Sequence, residues 1–458
     1  MEPLDTALSP SRITAIVGNW PHLKAMGIAI EECEVRNIRP GTEGDLQLEY
    51  RFKLVNASTA DRFKASIVGR VYPDQRGEQE YTRLLERWKD KEQLLADSSL
   101  QGFVLYLPEH RLLLHSSLTD EKLPGLQTAL DPGAMIGLLG ACLQANQPVA
   151  ERIHHCETYV LRHNPGKRCT LRYRLEWIDP ETRATRQQSM IGKLYGDGKE
   201  GARIFGLMQE LETQGFGVNS TDGIRIPQLY GYLRELQMLL MEDIPDPPLA
   251  ESFGSPQMTE HLRIAALALR KLHHCPLKPG TGCPLGQVRE FKVADQLASL
   301  RRAVSKIVPE APDLAGLFEE SLDQIIRMAP HLPPHEPGLV HRDFQYNQLL
   351  LGEERATLVD FDTMSNADPA LDVGDFLAHL KWKGLQLQWS EEETRSFAET
   401  FLSSYRPDRP PELMQRIDFY YRAYLLRIAC RVAFRPQWRH LTASLLHEAL
   451  AGYEVFKA

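Results

Sequence analysis

The stretch that decides the fold of this chain is GLVHRDFQYNQLLLGEERATLVDFDTMSNADPALDVGDFLAHL, which runs from Gly338 to Leu380. Short apolar runs alternate there with a series of aspartates, which are Asp343, Asp360, Asp362, Asp368, Asp372 and Asp375. Burying a carboxylate is costly unless it is paired, hydrogen-bonded or bound to a metal. A solvated acidic face would not need the valines and leucines on either side. We therefore expect these aspartates to have specific functions.

The spacing of the polar residues suggests what those functions are. A short strand is predicted after Asp343, and the run ATLVD predicts a second strand that ends at Asp360. If the two strands are neighbours, they bring Asp343, Gln348 and Asp360 to one rim. A hard divalent cation prefers such oxygen ligands. Phosphoryl transfer uses such a cation on the phosphate oxygens and a carboxylate to accept the proton of the attacking hydroxyl.

The same stretch resembles a known family. HRD, followed after four residues by an amide and then by a strand ending in DFD, resembles the catalytic and metal loops of the protein-kinase-like superfamily. DFD followed by ADPALDVGDFLAHL is similar to the aminoglycoside phosphotransferase and choline kinase branch, which phosphorylates small-molecule hydroxyls. The resemblance implies that Asp343 is the catalytic base and that Gln348 and Asp360 bind Mg²⁺. Asp362 is either a second metal ligand or a cap of the following segment.

Two positions depart from the family pattern. Gln348 stands where the family has a metal-ligand asparagine. The glutamine keeps the amide oxygen and resembles the one in the maltokinase branch. Arg342 stands where the family has glycine, as in protein kinases. Glutamine adds a methylene to the side chain, a change that does not exclude activity but motivates the pseudokinase alternative given below.

The resemblance extends towards the N-terminus. Lys193 in MIGKLY matches the lysine that contacts the α- and β-phosphates of ATP. LLMEDI, with Met241, Glu242 and Ile244, resembles the hinge strand that meets adenine. The glutamate that should pair with Lys193 is not fixed by the sequence, and Glu200 and Glu210 remain alternatives. Four motifs in the family's order favour a nucleotide-binding site.

Structural interpretations of the same residues are also available. Asp343 and Asp360 could be turn or capping residues, and Lys193 could be a solvated lysine on an edge strand. The order and spacing of the motifs favour the functional interpretation for all three. Lys167 in NPGKRC belongs either to a turn that covers phosphates or to an ordinary hairpin turn. Asp368 and Asp372 are interpreted as structural supports of the catalytic loop.

An internal repeat indicates the domain organisation. Tyr50, Gly69 and Tyr72 recur as Tyr173, Gly192 and Tyr195, each after 123 residues. Both copies read as antiparallel strands with Pro-Gly turns, followed by a helix. The fold class predicted is α+β, a bilobal protein-kinase-like fold preceded by an extra small-lobe-like domain.

We predict three domains. Residues 1–150 form a degenerate small-lobe-like domain, residues 151–250 form the small lobe and hinge, and residues 251–458 form a helical large lobe. In the first copy Arg70 replaces Lys193, and no HRD or DFD follows within that copy. We interpret this copy as nucleotide-incompetent, serving as a cap, a dimer surface or a substrate wall.

Composition excludes several functional classes. The net charge is −8, which argues against a general nucleic-acid binder. No run approaches the ~18 apolar residues that span a bilayer, so no membrane partner is expected. We see no signal-peptide pattern at the start, and the seven cysteines contain no Cys-x-x-Cys pair. These features favour a cytoplasmic protein with reduced thiols.

A late segment adds a basic stripe, which is Arg422, Arg427, Arg431, Arg435 and Arg439. We favour ion pairs between these arginines and the acidic catalytic half. The sharper alternative is a pocket for an anionic substrate. Trp382 and Trp389 could stack on sugar rings, but core packing is the default.

The sequence therefore predicts an ATP- and Mg²⁺-dependent phosphotransferase that acts on a hydroxyl of a small molecule, with a sugar or sugar derivative favoured. A homodimer is allowed for. One alternative is a pseudokinase that binds nucleotide or acts as a scaffold without turnover. The other is a protein kinase, although no D-F-G or A-P-E signature is present.

Overall fold

The computed structural model describes residues 2–25, 27–40, 45–57, 62–88, 103–116, 120, 122–146, 153–164, 166–178, 182–276, 288–435 and 437–452. The chain forms two compact units. The first comprises Met1–Gly201 and Tyr230–Leu240, and the second comprises Ala202–Leu229 and Met241–Ala458.

The first sheet of the first unit contains β1 (Ile28–Pro40), β2 (Leu46–Asn56), β3 (Arg62–Val71), β4 (Val104–Leu107) and β5 (Leu112–Ser116). Their order in the sheet is β1-β2-β3-β5-β4, and all four pairings are antiparallel. Leu48, Tyr50 and Phe52 alternate along β2 on one face and are fully buried. The helices of this part are α1 (Glu2–Ala7), α2 (Pro10–Gly18), α3 (Pro21–Ala25) and α4 (Arg76–Trp88).

The second sheet repeats this arrangement. It contains β6 (Ile153–Asn164), β7 (Arg168–Ile178), β8 (Thr185–Tyr195), β10 (Leu229–Leu233) and β11 (Met238–Glu242). Their order is β6-β7-β8-β11-β10, the same as that of the first sheet once the strands are matched in sequence. The predicted duplication of antiparallel strands is confirmed.

Matched residues do the same work in both copies. The hydroxyl of Tyr50 donates to the carbonyl oxygen of Ala7 (2.7 Å), and the hydroxyl of Tyr173 donates to that of Ala129 (2.8 Å). Each tyrosine is fully buried, so this bond satisfies its polar atom inside an apolar core. Each bond ties a strand to a helix that precedes its sheet.

The helices before the second sheet belong to its core. They are α5 (Leu126–Leu130) and α6 (Pro132–Asn146). Their buried residues, among them Leu126 and Leu139, pack with Leu171 and Leu175 of the second sheet. The domain boundary predicted at residue 150 placed this helical region in the first domain. The structure instead packs it with the second copy, because its apolar face covers the second sheet. Residues 147–152 lie outside the described residues.

In both copies, a glycine at the matched position allows a buried tyrosine ring to pack directly against the neighbouring strand. A Cβ on Gly192 would lie 2.7 Å from the ring of Tyr173 and 2.8 Å from Sδ of Met238. A Cβ on Gly69 would lie 2.6 Å from the ring of Tyr50. Neither ring can move away without disturbing the core.

We expect Gly192→Ala to lower the free energy of unfolding by about 1–3 kcal/mol, because it overpacks the core. Gly69→Ala should have a similar cost. Gly137→Ala is the control, since a methyl group there meets no heavy atom within 4 Å and lies in the helix α6. Denaturant unfolding of the three variants checks this, and a Gly192→Ala protein as stable as Gly137→Ala would contradict it.

The second unit is mostly helical. Its helices are α7 (Gly198–Leu211), which begins in the first unit, then α8 (Met258–His273), α9 (Val293–Ile307), α10 (Ala315–Met328), α11 (Ala370–Leu387), α12 (Glu391–Tyr405), α13 (Pro411–Val432) and α14 (Thr442–Ala451). The sequence predicts helices from about Ala294 onward, and α9 begins one residue earlier. Among the described residues, no helix has the length and apolar character needed to cross a bilayer.

The short strands of the second unit lie between these helices. They are β9 (Ile224–Arg225), β12 (Gly338–Val340), β13 (Leu349–Leu351), β14 (Ala356–Leu358) and β15 (Ser365–Ala367). β12 pairs with β15, and β14 lies between β13 and β9. β13 and β14 are the two strands predicted between Asp343 and Asp360. Helix α11 follows them and crosses α13. The two helices approach closely at Gly374, where a Cβ would lie 2.7 Å from the backbone nitrogen of Tyr421.

Candidate active site

The strands β13 and β14 bring two predicted site residues together. They pair antiparallel, with Leu349 opposite Leu358. Beyond them, the backbone N–H of Val359 donates to the carbonyl oxygen of Gln348 (3.0 Å). Gln348 therefore lies beside the residue that precedes Asp360. The predicted juxtaposition of these strands is confirmed.

The loop that carries Asp343 is joined to the same place. The Nε2–H of His341 donates to the carbonyl oxygen of Val359 (2.9 Å), and Oγ1 of Thr363 donates to the carbonyl oxygen of His341 (2.8 Å). His341 is fully buried. These bonds hold the loop of Asp343 and the loop of Asp360 as one hydrogen-bonded assembly.

Both loops contain a residue in a left-handed backbone conformation. Arg342 has φ 65° and Asp360 has φ 67°. Such conformations cost about 1–3 kcal/mol at a non-glycine residue and persist where surrounding bonds enforce them. The guanidinium of Arg342 donates to the carbonyl oxygen of Thr363 (3.2 Å) and to Oγ of Ser365 (3.0 Å). The strain is held in place by bonds between the two loops.

The Asp343 side chain is half-buried. Among the described residues, none donates a hydrogen bond to its carboxylate or forms an ion pair with it. A capping or turn aspartate would accept a backbone N–H a few residues along. The structure therefore does not support the turn interpretation of Asp343.

The oxygen-bearing side chains near the second loop are Gln348, Asp360 and Asp362. Gln348 and Asp360 are half-buried, and Asp362 is buried. Arg203 of α7 donates to the carbonyl oxygen of Asp362 (3.4 Å), which fixes the backbone of this loop. The described residues contain no group of three His, Cys, Asp or Glu side chains arranged to hold a metal ion.

Asp372, at the start of α11, supports the loop that carries Asp343. Its carboxylate accepts the backbone N–H of His341 (2.6 Å) and of Arg342 (2.7 Å). It also accepts Nε2–H of His273 (3.0 Å), and it is fully buried. The structural role predicted for Asp372 is confirmed.

We expect Asp372→Ala to lower the free energy of unfolding by about 3–5 kcal/mol, because it leaves buried donors without an acceptor. Asp372→Asn should cost less, since one acceptor oxygen remains. Asp323→Ala on the exposed face of α10 is the control, expected within about 0.5 kcal/mol of the parent. Denaturant unfolding measures all three. Equal stabilities for Asp372→Ala and Asp323→Ala would refute the supporting role.

Asp368 also has a structural environment. Its Oδ1 accepts the backbone N–H of Ala370 (3.0 Å) at the start of α11. Its Oδ2 lies 3.1 Å from Nε of Arg416 on α13. Asp368 therefore joins the N-terminus of α11 to α13, as the structural interpretation predicts.

A buried pair on α11 lies close to Asp343. Nδ1 of His379 is 2.8 Å from Oδ1 of Asp375, one helical turn earlier, and both side chains are buried. The pKa of Asp375 is raised to about 6, chiefly by burial; the charge of Asp343 adds to the rise, and His379 and Arg427 oppose it. Burial alone would lower the pKa of His379, but the Asp375 charge raises it overall.

Lys193 lies on β8, in the interior of the second sheet of the first unit. Its neighbour in register on β7 is Thr170, and β11 lies on the other side of β8. Only 8% of Lys193 is exposed, and its Nζ is 5.9 Å from the ring centroid of Tyr195. The alternative of a solvated lysine on an edge strand is wrong.

The turn that contains Lys167 includes a glycine whose backbone N–H is already hydrogen-bonded. Gly166 adopts φ 70°, and its N–H donates to Oδ2 of Asp120 (2.5 Å). Asp120 also contacts Nε2 of His163 (3.0 Å). Lys167 itself is exposed. Because the glycine N–H is already bonded, the structure favours the hairpin interpretation of this turn over the phosphate-covering one.

The predicted hinge residues lie at the end of β11 and just after it. The carboxylate of Glu242 accepts two bonds from the guanidinium of Arg225 (2.7 and 2.9 Å) and the N–H of Gln228 (3.1 Å). Burial alone would raise the pKa of Glu242, but these partners lower it overall. The Glu242 side chain therefore braces the hinge. Met241 is half-buried and Ile244 is buried.

Comparison with protein families identifies the chain. Residues 172–420 match the model of the phosphotransferase enzyme family, which is more than half of the 458 residues. The chain belongs to this family. The matched range contains every predicted site residue except Lys167. A comparison with curated protein sequences gave no match.

Solved structures similar to this phosphotransferase include three kinases. Plasmodium vivax ethanolamine kinase shares 12% identity at a TM-score of 0.46, covering 84% of this chain and 97% of that one. Cryptosporidium parvum choline kinase shares 12% at 0.45, covering 69% and 94%. An ADP-bound aminoglycoside phosphotransferase shares 18% at 0.41, covering 69% and 98%. At these identities, none of the similarities assigns a substrate.

The family match and the structure settle two predictions. The fold class is α+β of the protein-kinase-like type, with antiparallel sheets before a helical part. The enzyme class is that of a small-molecule phosphotransferase. Both predictions are confirmed.

The basic stripe of the phosphotransferase does not pair as we favoured. Arg422 pairs with Asp418 on its own helix (2.8 Å) and donates to carbonyl oxygens at the end of α14. Arg439 pairs with Asp313 (2.8 Å). For the other three arginines of the stripe, the described residues provide no ion-pair partner. The predicted ion pairs with the catalytic half are therefore wrong.

The two tryptophans pack against other aromatic rings of the second unit, and Trp382 is buried whereas Trp389 is half-buried. The ring of Trp382 meets that of Trp438 edge to face, with 5.8 Å between centroids. The ring of Trp389 meets those of Phe253 (5.5 Å) and Phe397 (5.0 Å). Core packing, the default interpretation, is confirmed for Trp382, and Trp389 belongs to a half-buried aromatic cluster.

Sequence reasoning missed two contacts of the phosphotransferase site. The Asp375–His379 pair has a usable signal, because residues four apart on a helix face each other. The Arg225–Glu242 pair has none, because it joins a two-residue strand to the hinge across 17 positions. Nothing in the spacing selects Arg225 among the arginines nearby.

Proposed function

We propose that this phosphotransferase moves the γ-phosphoryl group of Mg²⁺-ATP to a hydroxyl of a small molecule, with a sugar or sugar derivative as the favoured acceptor. The observation that carries the proposal is the double link through Val359. The N–H of Val359 donates to the carbonyl oxygen of Gln348, and the carbonyl oxygen of Val359 accepts Nε2–H of His341. That link supports a shared position for the base Asp343 and the oxygen ligands Gln348 and Asp360.

In this proposal Asp343 orients the acceptor hydroxyl and accepts its proton as the oxygen attacks the γ-phosphorus. Its carboxylate has no hydrogen-bond partner among the described residues, so it can accept one from the substrate. The loop beneath it is held by Asp372. A positioned base of this kind contributes about 10²–10⁴-fold to the rate.

The donor set fits Mg²⁺. Gln348, Asp360 and Asp362 offer only oxygen atoms, which this cation prefers. Mg²⁺ usually takes one or two carboxylates from the protein and completes its shell with phosphate oxygens and water. That habit fits a site without three clustered acidic side chains. The ion, when bound, neutralises charge on the phosphates.

The nucleotide contacts stay proposals. Lys193 would contact the α- and β-phosphates, and its burial on an interior strand supports a fixed role. The backbone of Met241, Glu242 and Ile244 would meet the base. The N–H of Glu242 already donates to the carbonyl oxygen of Gln228 (2.9 Å), so its carbonyl oxygen is the group left for adenine. Lys167 is the weakest member of the set.

Several other expectations stay predictions. These are the three-domain division at residues 1–150, 151–250 and 251–458, the cytoplasmic location and the homodimer. The packing of α5 and α6 on the second sheet supports an earlier end for the first domain.

A screen for ADP release tests the proposal. Purified protein, Mg²⁺ and either ATP or GTP are incubated with a panel of hydroxyl compounds that includes sugars, sugar derivatives, amino alcohols and a protein mixture. We expect release of ADP from ATP, or of GDP from GTP, that depends on a small-molecule acceptor. Tight nucleotide binding without turnover on any acceptor would favour the pseudokinase. Phosphate found on protein would favour the protein kinase.

A further inference from the structure

Helix α13 turns one face towards the catalytic loop. Tyr424, Arg427 and Arg431 are three and four residues apart, so they share a face of the helix. The hydroxyl of Tyr424 donates to the carbonyl oxygen of Arg342 (3.5 Å), which fixes this face against the loop of Asp343. Arg435 follows four residues after Arg431, just beyond the end of the helix.

The arginines of this segment divide into two groups. Those with a carboxylate partner are Arg416, Arg422 and Arg439. Those with no ion-pair partner in the part of the chain that the structure describes are Arg427, Arg431 and Arg435, which we call the basic face. Arg427 is half-buried, and Arg431 and Arg435 are exposed.

The basic face has an excess of positive charge. The guanidinium of Arg427 lies 5.7 Å from the ring centroid of Tyr424, an aromatic contact rather than an ionic one. The pKa of Arg431 is lowered, first because neighbouring atoms desolvate its guanidinium group, although the side chain as a whole is exposed, and then by the charge of Arg427. Two cations that repel each other and lack a carboxylate are stabilised by a bound anion.

The basic face lies near the proposed base. The charges of Asp343 and Asp375 both act to raise the pKa of Arg431, and the charge of Arg427 acts to lower the pKa of Asp375. Asp375 is already paired with His379. Asp343 must stay free for the acceptor hydroxyl. Neither carboxylate therefore serves as the partner of these arginines.

A fourth cation lies close to the same loop. Nζ of Lys383 on α11 is 5.7 Å from the ring centroid of Phe253 and 5.9 Å from that of Tyr346. Burial raises the pKa of Tyr346 to about 12, against the opposing charge of Arg435. Lys383 therefore lies near a tyrosine three residues after Asp343, and the charge of Arg435 lowers the pKa of that tyrosine.

We infer that Arg427, Arg431 and Arg435 form an acceptor subsite for an anionic group, so the hydroxyl compound phosphorylated by this enzyme carries a carboxylate or a phosphate. The inference rests on the proposed function. Guanidinium groups suit both anions, because they present several N–H donors in one plane. Polycationic acceptors are disfavoured at such a subsite.

Matched acceptors test the inference. The neutral, carboxylate and phosphate members are glucose, glucuronate and glucose 6-phosphate, and also glycerol, glycerate and glycerol 3-phosphate. Glucosamine is the cationic member. We expect kcat/KM for an anionic member to exceed that of its neutral partner at least about tenfold. The two anionic arms show which anion is preferred. Preference for neutral or cationic members throughout would overturn the inference.

Variants connect the preference to the residues. Arg431→Ala should raise KM for the preferred anionic acceptor about tenfold, with KM for ATP unchanged. Arg431→Lys should recover part of the loss. Arg301→Ala, at an exposed arginine on α9, is the control and should change neither constant. If Arg431→Ala raises KM for ATP alone, the arginine serves the nucleotide and the inference is wrong.

A binding measurement decides the case in which no panel member is phosphorylated. Sodium sulfate should stabilise the parent protein thermally more than it stabilises the triple variant Arg427→Ala/Arg431→Ala/Arg435→Ala. That result without turnover supports the anion subsite and counts against the proposed function. Equal stabilisation overturns the subsite. Transfer to neutral acceptors only keeps the proposed function and also overturns the subsite.

Discussion

Asp343→Asn is expected to lower kcat for phosphoryl transfer by about 10²–10⁴-fold while leaving the affinity for Mg²⁺-ATP unchanged. The carboxylate is half-buried and free of partners among the described residues, and we propose that it takes the hydroxyl proton rather than holding the loop. The loop is held by Asp372 and His341. The amide keeps the shape of the side chain but cannot accept the proton.

Turnover of the best acceptor and nucleotide binding by calorimetry measure the two quantities separately. Asp323→Asn, at an exposed position on α10, controls for loss of one negative charge and should leave both unchanged. Transfer by Asp343→Asn at the parent rate would show that Asp343 is not the base. Loss of nucleotide binding together with transfer would show that it acts in the nucleotide site instead.

Asp360→Ala is expected to abolish the Mg²⁺-dependent part of nucleotide stabilisation. A ligand at 100 times its dissociation constant stabilises a protein by about 2.7 kcal/mol. Because Asp360 is proposed to supply the carboxylate that holds the ion, the increment gained by adding Mg²⁺ to ATP should vanish. Thermal unfolding with ATP alone and with Mg²⁺-ATP measures that increment.

The backbone of Asp360 calls for a second variant. Its φ of 67° disfavours alanine, so Asp360→Ala adds strain to the loss of the carboxylate. Asp360→Gly loses the carboxylate but adopts this conformation freely. Both variants should lack the Mg²⁺ increment, and the glycine variant should fold as well as the parent. If Asp360→Gly keeps the increment, Asp360 is not a ligand of the ion.

Most of the correct predictions, such as the repeat and the paired strands near Asp360, came from local sequence patterns. The repeat was detectable because matched tyrosines and glycines recur at one offset, and each pair makes the same contact in its own sheet. The rim that holds Gln348 and Asp360 was predictable because two short strands close in sequence pair as a hairpin. Periodicity and short loops are properties of neighbouring residues, so the sequence displays them directly.

Contacts between distant residues escaped prediction. His273 reaches Asp372 across 99 positions, and the helices α5 and α6 pack on the sheet that follows them rather than the one before. The stripe of arginines looked like a set of partners for the aspartates. Asp372 instead accepts backbone N–H groups and His273, Asp375 pairs with His379, and Asp368 pairs with Arg416, which lies outside the stripe. Which donor reaches which carboxylate depends on tertiary packing, and the spacing of charges along the chain does not encode it.

The central claim is that this protein transfers a phosphoryl group from ATP to a small molecule. The most direct test is to incubate the protein with Mg²⁺, ATP labelled in the γ-phosphate and the acceptor found in the screen, then separate protein, inorganic phosphate and small molecules. We predict label on the small molecule in proportion to ADP formed, and none when Mg²⁺ is withheld or Asp343 is replaced by asparagine. Label that appears on protein or only as inorganic phosphate would contradict the claim.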